Sequence, residues 1–181
     1  MNRDQIEDRA EKLLEENQAF LAPVPIDQLV SDLGFELVYK FFDDQDLSGT
    51  VIRDASGHVV IGINTLHSAV RQRFSIAHEI GHATMHLRDG EDLIVDPPTR
   101  GLFNRDHVAS LGQDPKEIEA NQFAAALLMP APLVADIASE ILSTSPAPSF
   151  ERLNESLATR FDVSTQAMKF RLVNLGVIEP D

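Results

Sequence analysis

Within "RFSIAHEIGHATMH" (73–86), two histidines stand four residues apart with a glutamate directly after the first: His78, Glu79 and His82. On a helix, positions i and i+4 share one face, about one turn apart. Two imidazoles so placed can bind one zinc ion at ~2.0–2.1 Å each, leaving room for a third ligand and a water. Glu79 then points beside the metal rather than at it. A general base belongs there, where it can take a proton from water whose pKa the metal has lowered. The bland alternative is a histidine-rich amphipathic helix. Against it, Phe74, Ala77, Gly81 and Met85 line the same segment with apolar or small residues, so it packs inside the domain. Buried histidines need polar partners, and a metal would satisfy both.

His86 is eight residues beyond His78, about 12 Å along the axis, so the two cannot reach one ion. A histidine near a helix C-terminus has its own role, favoured by the helix dipole and free to hydrogen-bond. Met85 and Arg88 occupy the positions where the longer zincin pattern carries glycine and histidine. The third ligand must therefore come from elsewhere, and "DPKEIEANQFAAALLMP" (114–130) is the candidate source. Glu117 and Asn121 are four apart and share a face, whereas Glu119 points about 200° around from Glu117, so only one of the two acids can face the metal. Asn121 suits a hydrogen bond to the free nitrogen of a ligand histidine, holding its ring in place. Glu117 also fits a capping box begun by Asp114, and position alone does not separate that role from metal ligation.

These segments need elements to hold them. Residues 3–20 predict a helix with Ile6, Ala10, Leu13 and Leu14 near one face, followed by a short helix from about Ile26 that Gly34 closes. "FELVYKFF" (35–42) is strand-like, and "TVIRD", "ASGH" and "VVIGIN" predict a hairpin. The histidine helix spans 70–87. The stretch from Asp89 to Asp114 has no sustained period and is a long loop with a short strand at Leu93–Val95; loops of this length are usually functional. A strong helix follows, with Asp114 as N-cap and Pro115 at N1, ended by Pro130. "STSPAPS" (143–149) is a linker by composition. The expected fold class is α+β: a twisted, mostly antiparallel sheet of about three strands packed on helices. The expected division is 1–142 for the site-bearing domain and 150–181 for a helical tail.

The 181 residues include no cysteine, which excludes disulfides, thiolate metal sites and a thiol nucleophile. A 43% hydrophobic and 24% charged composition is that of an ordinary globular fold. No segment approaches the ~20 apolar residues of a membrane span, and the expected location is the cytoplasm, with no membrane partner. A formal net charge of −14 disfavours nonspecific attraction to nucleic acid or anionic membranes. It favours encounter with a basic protein, although acidic surfaces also simply keep many proteins soluble and sign alone specifies no partner.

The tail "ESLATRFDVSTQAMKFRLVNLGVI" (155–178) has a helix-turn-helix pattern: Leu157, Ala158 and Phe161, a turn at Asp162–Val163, then Ser164 capping a helix with Met168 and Leu172. Residues 150–181 hold only Arg152, Arg160, Lys169 and Arg171 against five acids, so the basic footprint of a DNA binder is missing. DNA binding by the chain itself is not expected. In the long loop, Arg105, Asp106, His107 and Ser110 are candidates for substrate contacts or oxyanion stabilisation.

Taken in order, "GFELV", "LSGTVI", "IGIN", "RQRFSIAHEIGHATMH", "NRDHVASLG" and "EIEANQFAAALLMP" resemble the ImmA/IrrE family of bacterial and phage metallopeptidases across most of residues 20–135. The resemblance implies a small zincin-like fold, a sheet beside two metal-bearing helices. It also implies a Zn2+ site with His78 and His82 as ligands, Glu79 as catalytic base and an acidic third ligand from the second helix. The family pattern maps that ligand to Glu117, with Glu119 as runner-up. The implied function is a zinc-dependent endopeptidase that cuts a regulatory protein, an Xre/HTH-type repressor or antitoxin, and so relieves repression of stress-response or mobile-element genes. The alternative is a metal-stabilised toxin or repressor-binding module that acts without proteolysis in an Xre-paired toxin–antitoxin system. Zincins commonly take substrate as an added strand on a sheet edge, and residues 50–64 are where that edge is expected.

Overall fold

A computed structural model describes residues 1–44, 46–87, 92–95, 114–144 and 149–178. Its elements run α1 (Arg3–Glu16), α2 (Ile26–Asp32), β1 (Glu36–Lys40), β2 (Gly49–Arg53), β3 (Val59–Asn64), α3 (Ala69–Met85) and β4 (Asp92–Val95). They continue with α4 (Pro115–Leu128), α5 (Ala131–Thr144), α6 (Phe150–Phe161) and α7 (Thr165–Asn174). The fold is α+β, as expected, but among the described residues the sheet has four strands, in the order β1-β3-β2-β4. β2 and β3 form the expected hairpin, Gly49 opposite Ile63 and Arg53 opposite Val59. β4 adds antiparallel to β2, whereas β1 lies parallel to β3. Two of the three pairings are antiparallel, as expected, and the third makes the sheet mixed, because β1 enters parallel beside β3 instead of extending the hairpin.

This order corrects one expectation. Residues 50–64 make the two interior strands, each paired on both sides; among the described residues the edges are β1 and β4. A substrate strand cannot add where both hydrogen-bonding sides are already occupied.

Alternation sets the buried face. Val51, Val59, Ile61 and Ile63 point to the core and meet Ile76, Ala77 and Ile80 of α3, all nearly or fully buried. α4 lies between α3 and α1. The approach of α3 to α4 is close at Gly81: a Cβ there would stand 3.1 Å from Phe123 Cδ1 and 3.4 Å from the Ala120 Cα. Glycine costs a helix interior about 1 kcal/mol relative to alanine. Here it lets α4 sit near enough to α3 for side chains of both helices to share one site.

The C-terminal helices join the same core through Leu157, Phe161, Met168 and Leu172. They meet at a turn where Asp162 adopts a left-handed conformation and Ser164 caps α7. Arg171 is 2% exposed, donates to the Met129 carbonyl at 2.8 Å and forms a two-pronged ion pair with Glu7 of α1. It is a structural cation, already paired inside the protein, which removes one of the four basic residues counted for DNA contact. Removing one partner of such a pair typically costs about 3–5 kcal/mol. Arg171→Ala is expected near the lower end, about 3 kcal/mol, because Glu7 keeps some solvent contact; urea denaturation would measure it. No single helix among the described residues is long and apolar enough to cross a membrane.

Candidate metal centre

α3 begins at Ser68, whose side chain accepts from the Arg71 amide, and continues for 17 residues to Met85. Its third and fourth turns are buried over their whole circumference, with His78 at 3%, Glu79 at 0% and His82 at 0% exposure. α4 begins at Asp114, whose carboxylate accepts from the Lys116 amide, with Pro115 at the first helical position. Glu117, which could have completed a capping box, faces α3. Its Oε2 lies 3.3 Å from His78 Nε2 and its Oε1 lies 3.2 Å from His82 Nε2. The two Nε2 atoms are 2.9 Å apart.

Three donors bound at ~2.0–2.1 Å to one tetrahedral ion stand roughly 3.3–3.4 Å from each other. Here the imidazole nitrogens are somewhat closer than that and each has a Glu117 oxygen at about that distance, so the three side chains fit a divalent cation such as zinc once they relax around it. Among the described residues this is the one group of three histidine and carboxylate side chains assembled in this way. The protonation states fit as well. Burial pushes the Glu117 carboxyl up, but hydrogen bonds and charge from His78 and His82 outweigh it and hold it down at about 2. Glu117 is thus an anion at neutral pH. His78 Nδ1 lies 3.0 Å from Asn121 Oδ1, an acceptor that holds a ring proton on Nδ1, so that the Nε2 proton facing Glu117 is the one an incoming ion would displace.

Glu119 and His86 are brought together outside this group, Glu119 Oε2 lying 3.0 Å from His86 Nε2. Burial pushes the His86 imidazole down, while the Glu119 hydrogen bond pulls the other way. Arg105, Asp106, His107 and Ser110 lie outside the described residues.

The sequence reading assigns no role to Gly49, yet it lies against the candidate base. A Cβ on Gly49 would stand 2.5 Å from Glu79 Oε1 and 3.2 Å from its Cδ. The entry to β2 is held there by buried Asn64, which donates to the Asp44 and Leu47 carbonyls and accepts from the Leu66 amide. The Asn64 amide bonds the Ser48 carbonyl and Arg71 reaches the Ser48 hydroxyl. With Gly49 fixed, an added methyl must displace the Glu79 carboxylate. Gly49→Ala is accordingly expected to lower hydrolysis by at least about tenfold, a 1 Å error being enough to cost 10²-fold, while metal affinity stays within twofold. Steady-state kinetics beside metal titration would check it. The sequence signal was present in "LSGT", a glycine at the first position of a strand, but glycine there has many structural uses.

Comparison with known proteins adds the relationship. The family model of the IrrE N-terminal-like domain matches residues 30–173. The radiation response metalloprotease IrrE of Deinococcus radiodurans is 35% identical over 118 residues, 64% of this chain and 31% of that protein. Its namesake from Deinococcus deserti is 36% identical over 115 residues, 64% of this chain and 36% of that one. The chain therefore spans about a third of the length of these curated relatives. A solved structure of a Mycobacterium tuberculosis transcriptional regulator superposes with a TM-score of 0.55 at 17% identity, over 94% of this chain and 46% of that one, a likeness of fold. With four-fifths of its length under one family model, and the histidine helix and its partner α4 both inside the match, this chain belongs to the IrrE N-terminal-like domain family.

Proposed function

We propose that the chain is a zinc-dependent endopeptidase of the cytoplasm that cuts a regulatory protein, a repressor or antitoxin of the Xre helix-turn-helix kind. The observation that carries the reading is the convergence of His78, His82 and Glu117 on one point, with Glu79 buried beside them. Names of relatives point the same way, since two matched proteins are called metalloproteases. The acidic surface suits a basic substrate such as a DNA-binding repressor.

His78, His82 and Glu117 would hold the ion, which supplies Lewis acidity toward the peptide carbonyl and the attacking water. Glu79 takes the proton of that water on its carboxylate and delivers it to the departing amine nitrogen as the C–N bond breaks. Asn121 keeps the His78 proton on Nδ1. Gly49 leaves the Glu79 carboxylate its space. The substrate strand is assigned to the β4 edge, because β4 ends the sheet among the described residues on the side of β2, which begins beside Glu79.

The test is to incubate the purified chain with the repressor or antitoxin encoded beside it, with and without a chelator, and to map products by mass spectrometry. A single chelator-sensitive cut is expected. An intact partner under metal-replete conditions would remove this substrate assignment.

A further inference from the structure

His82 has two ring nitrogens, and the fold gives each a different neighbour. Nε2 faces Glu117 and His78, while Nδ1 lies 3.0 Å from Nδ1 of His86. Beyond the His86 ring, its Nε2 lies 3.0 Å from Glu119 Oε2. The row is Glu119, His86, His82, and it ends at the metal-facing nitrogen. Its rings are inclined at 59° with centroids 5.0 Å apart, so the contact between them runs edge to edge through nitrogen rather than face to face.

The protons in this row are determined by its two ends. A neutral imidazole carries one proton, on one nitrogen or the other. For His82 to present a lone pair at Nε2, its proton must sit on Nδ1. That proton points at His86 Nδ1, which must then be the acceptor. The His86 proton is consequently on Nε2, where an ionised carboxylate, which only accepts, receives it. Reversing every bond would require Glu119 to donate and would cover His82 Nε2 with a proton. An acid at the outer end thus selects the metal-binding tautomer at the inner end.

We propose that His86 and Glu119 are positioning residues for the metal, acting through His82 by fixing its tautomer and ring orientation. The proposal rests on the reading that His78, His82 and Glu117 hold a metal. It places the two residues that sequence spacing excludes or ranks second as ligands into one supporting device. α4 then serves both ligand histidines from behind: Asn121 supports His78 directly, and Glu119 supports His82 through His86. His86 is well enclosed, with its side chain 5% exposed, while Glu119 is 21% exposed. His86 is therefore the more consequential member, and Glu119 the one that can be changed with less risk to folding.

The experiment is Zn2+ affinity on the full chain, by competition with a chromophoric chelator, beside urea denaturation of the metal-free chain. His86→Phe, which fills the space without an acceptor, is expected to bind zinc about 10–100-fold more weakly, the usual loss when the partner orienting a ligand histidine is removed. Glu119→Ala should lose a smaller factor, and Glu119→Gln, whose amide oxygen still accepts, should retain most of the affinity. Glu119 also pairs with the N-terminal ammonium, but its link to His82 runs through His86, so the double variant should bind no more weakly than His86→Phe alone. A purely structural role would instead lower the urea midpoint of the metal-free chain and leave zinc affinity unchanged. Unchanged affinity in the folded variants, or losses that simply add, would overturn the proposal. If His86→Phe does not fold, Glu119→Ala against Glu119→Gln decides it: equal affinities overturn the row. A wild-type chain that binds no zinc would sink the metal reading itself, a different failure from variants that bind as tightly as wild type.

Discussion

Glu79→Gln is expected to reduce peptide hydrolysis by about 10²–10⁴-fold, the usual contribution of a positioned general base, with metal content and affinity unchanged. Three observations converge on this residue. It follows His78 directly on α3, so the same helix that places the ligand places the base. It is fully buried, which shields its carboxylate from competing water. And β2 approaches it so closely at Gly49 that only a hydrogen fits between them. Glutamine keeps the volume and therefore the packing against Gly49, but its amide cannot accept and release a proton. Kinetics on a cleaved partner and metal analysis of the same preparation would be read together. The comparison also separates the two functional classes that the sequence admits. If the variant fully relieves repression in cells, the chain works by binding its partner, and proteolysis is not its function. If derepression vanishes while zinc remains, chemistry is what the site is for.

What could be read from the sequence depended on whether a feature is local. His78, Glu79 and His82 lie within one helical turn and a residue, so the 3.6-residue period alone places them, and no knowledge of the rest of the fold is needed. The two helices α6 and α7 were legible for the same reason: Ser164 and the buried set Leu157, Phe161, Met168 and Leu172 are local signals. The choice between Glu117 and Glu119 was of another kind. Helix phase shows that only one faces the His78 and His82 side of α4, but which one depends on how α4 is rotated against α3. That rotation is set by Gly81 meeting Ala120 and Phe123, a contact 39 or more residues apart in the chain. The parallel pairing of β1 with β3 was hidden likewise, since strand residues specify a pleated surface and not their neighbour.

Pro130 misled in a more specific way. Proline ends α4 because it cannot continue the hydrogen-bond ladder, and that stop was correctly placed. The same residue then opens α5: its carbonyl accepts from the Val134 amide at 3.0 Å, and helix Ala131–Thr144 follows at once. A proline at a helix start gives up nothing, as its missing amide proton would have no partner there. Reading it only as a terminator left 131–142 without an element. Gly49 and the His86–Glu119 contact were invisible for the deepest reason. Each matters through what it touches across the fold, and neither residue type announces that contact.

Glu117→Ala is expected to lose metal by far more than the roughly 10–100-fold that removing an orienting partner costs, whereas Glu119→Ala should keep a metal-binding site. The argument is electrostatic as well as geometric. Two neutral imidazoles leave a divalent charge uncompensated in a site whose walls are buried, and burying unneutralised charge is expensive. Glu117 is the group that neutralises half of it from a position 3.2–3.3 Å from both imidazole nitrogens. Its carboxyl is held down at about 2 by those same imidazoles, so it presents an anion without first releasing a proton at neutral pH. Glu119 is also held below the usual carboxylate range, by the N-terminal ammonium and His86, but it lacks the position: its carboxylate is turned to His86, on the far side of the His82 ring. Zinc content after gel filtration of the two variants would decide between them. Loss of the metal from Glu119→Ala alone would transfer the third ligand to that residue, and with it require α4 to be rotated by about half a turn, the ~200° that separates side chains two residues apart.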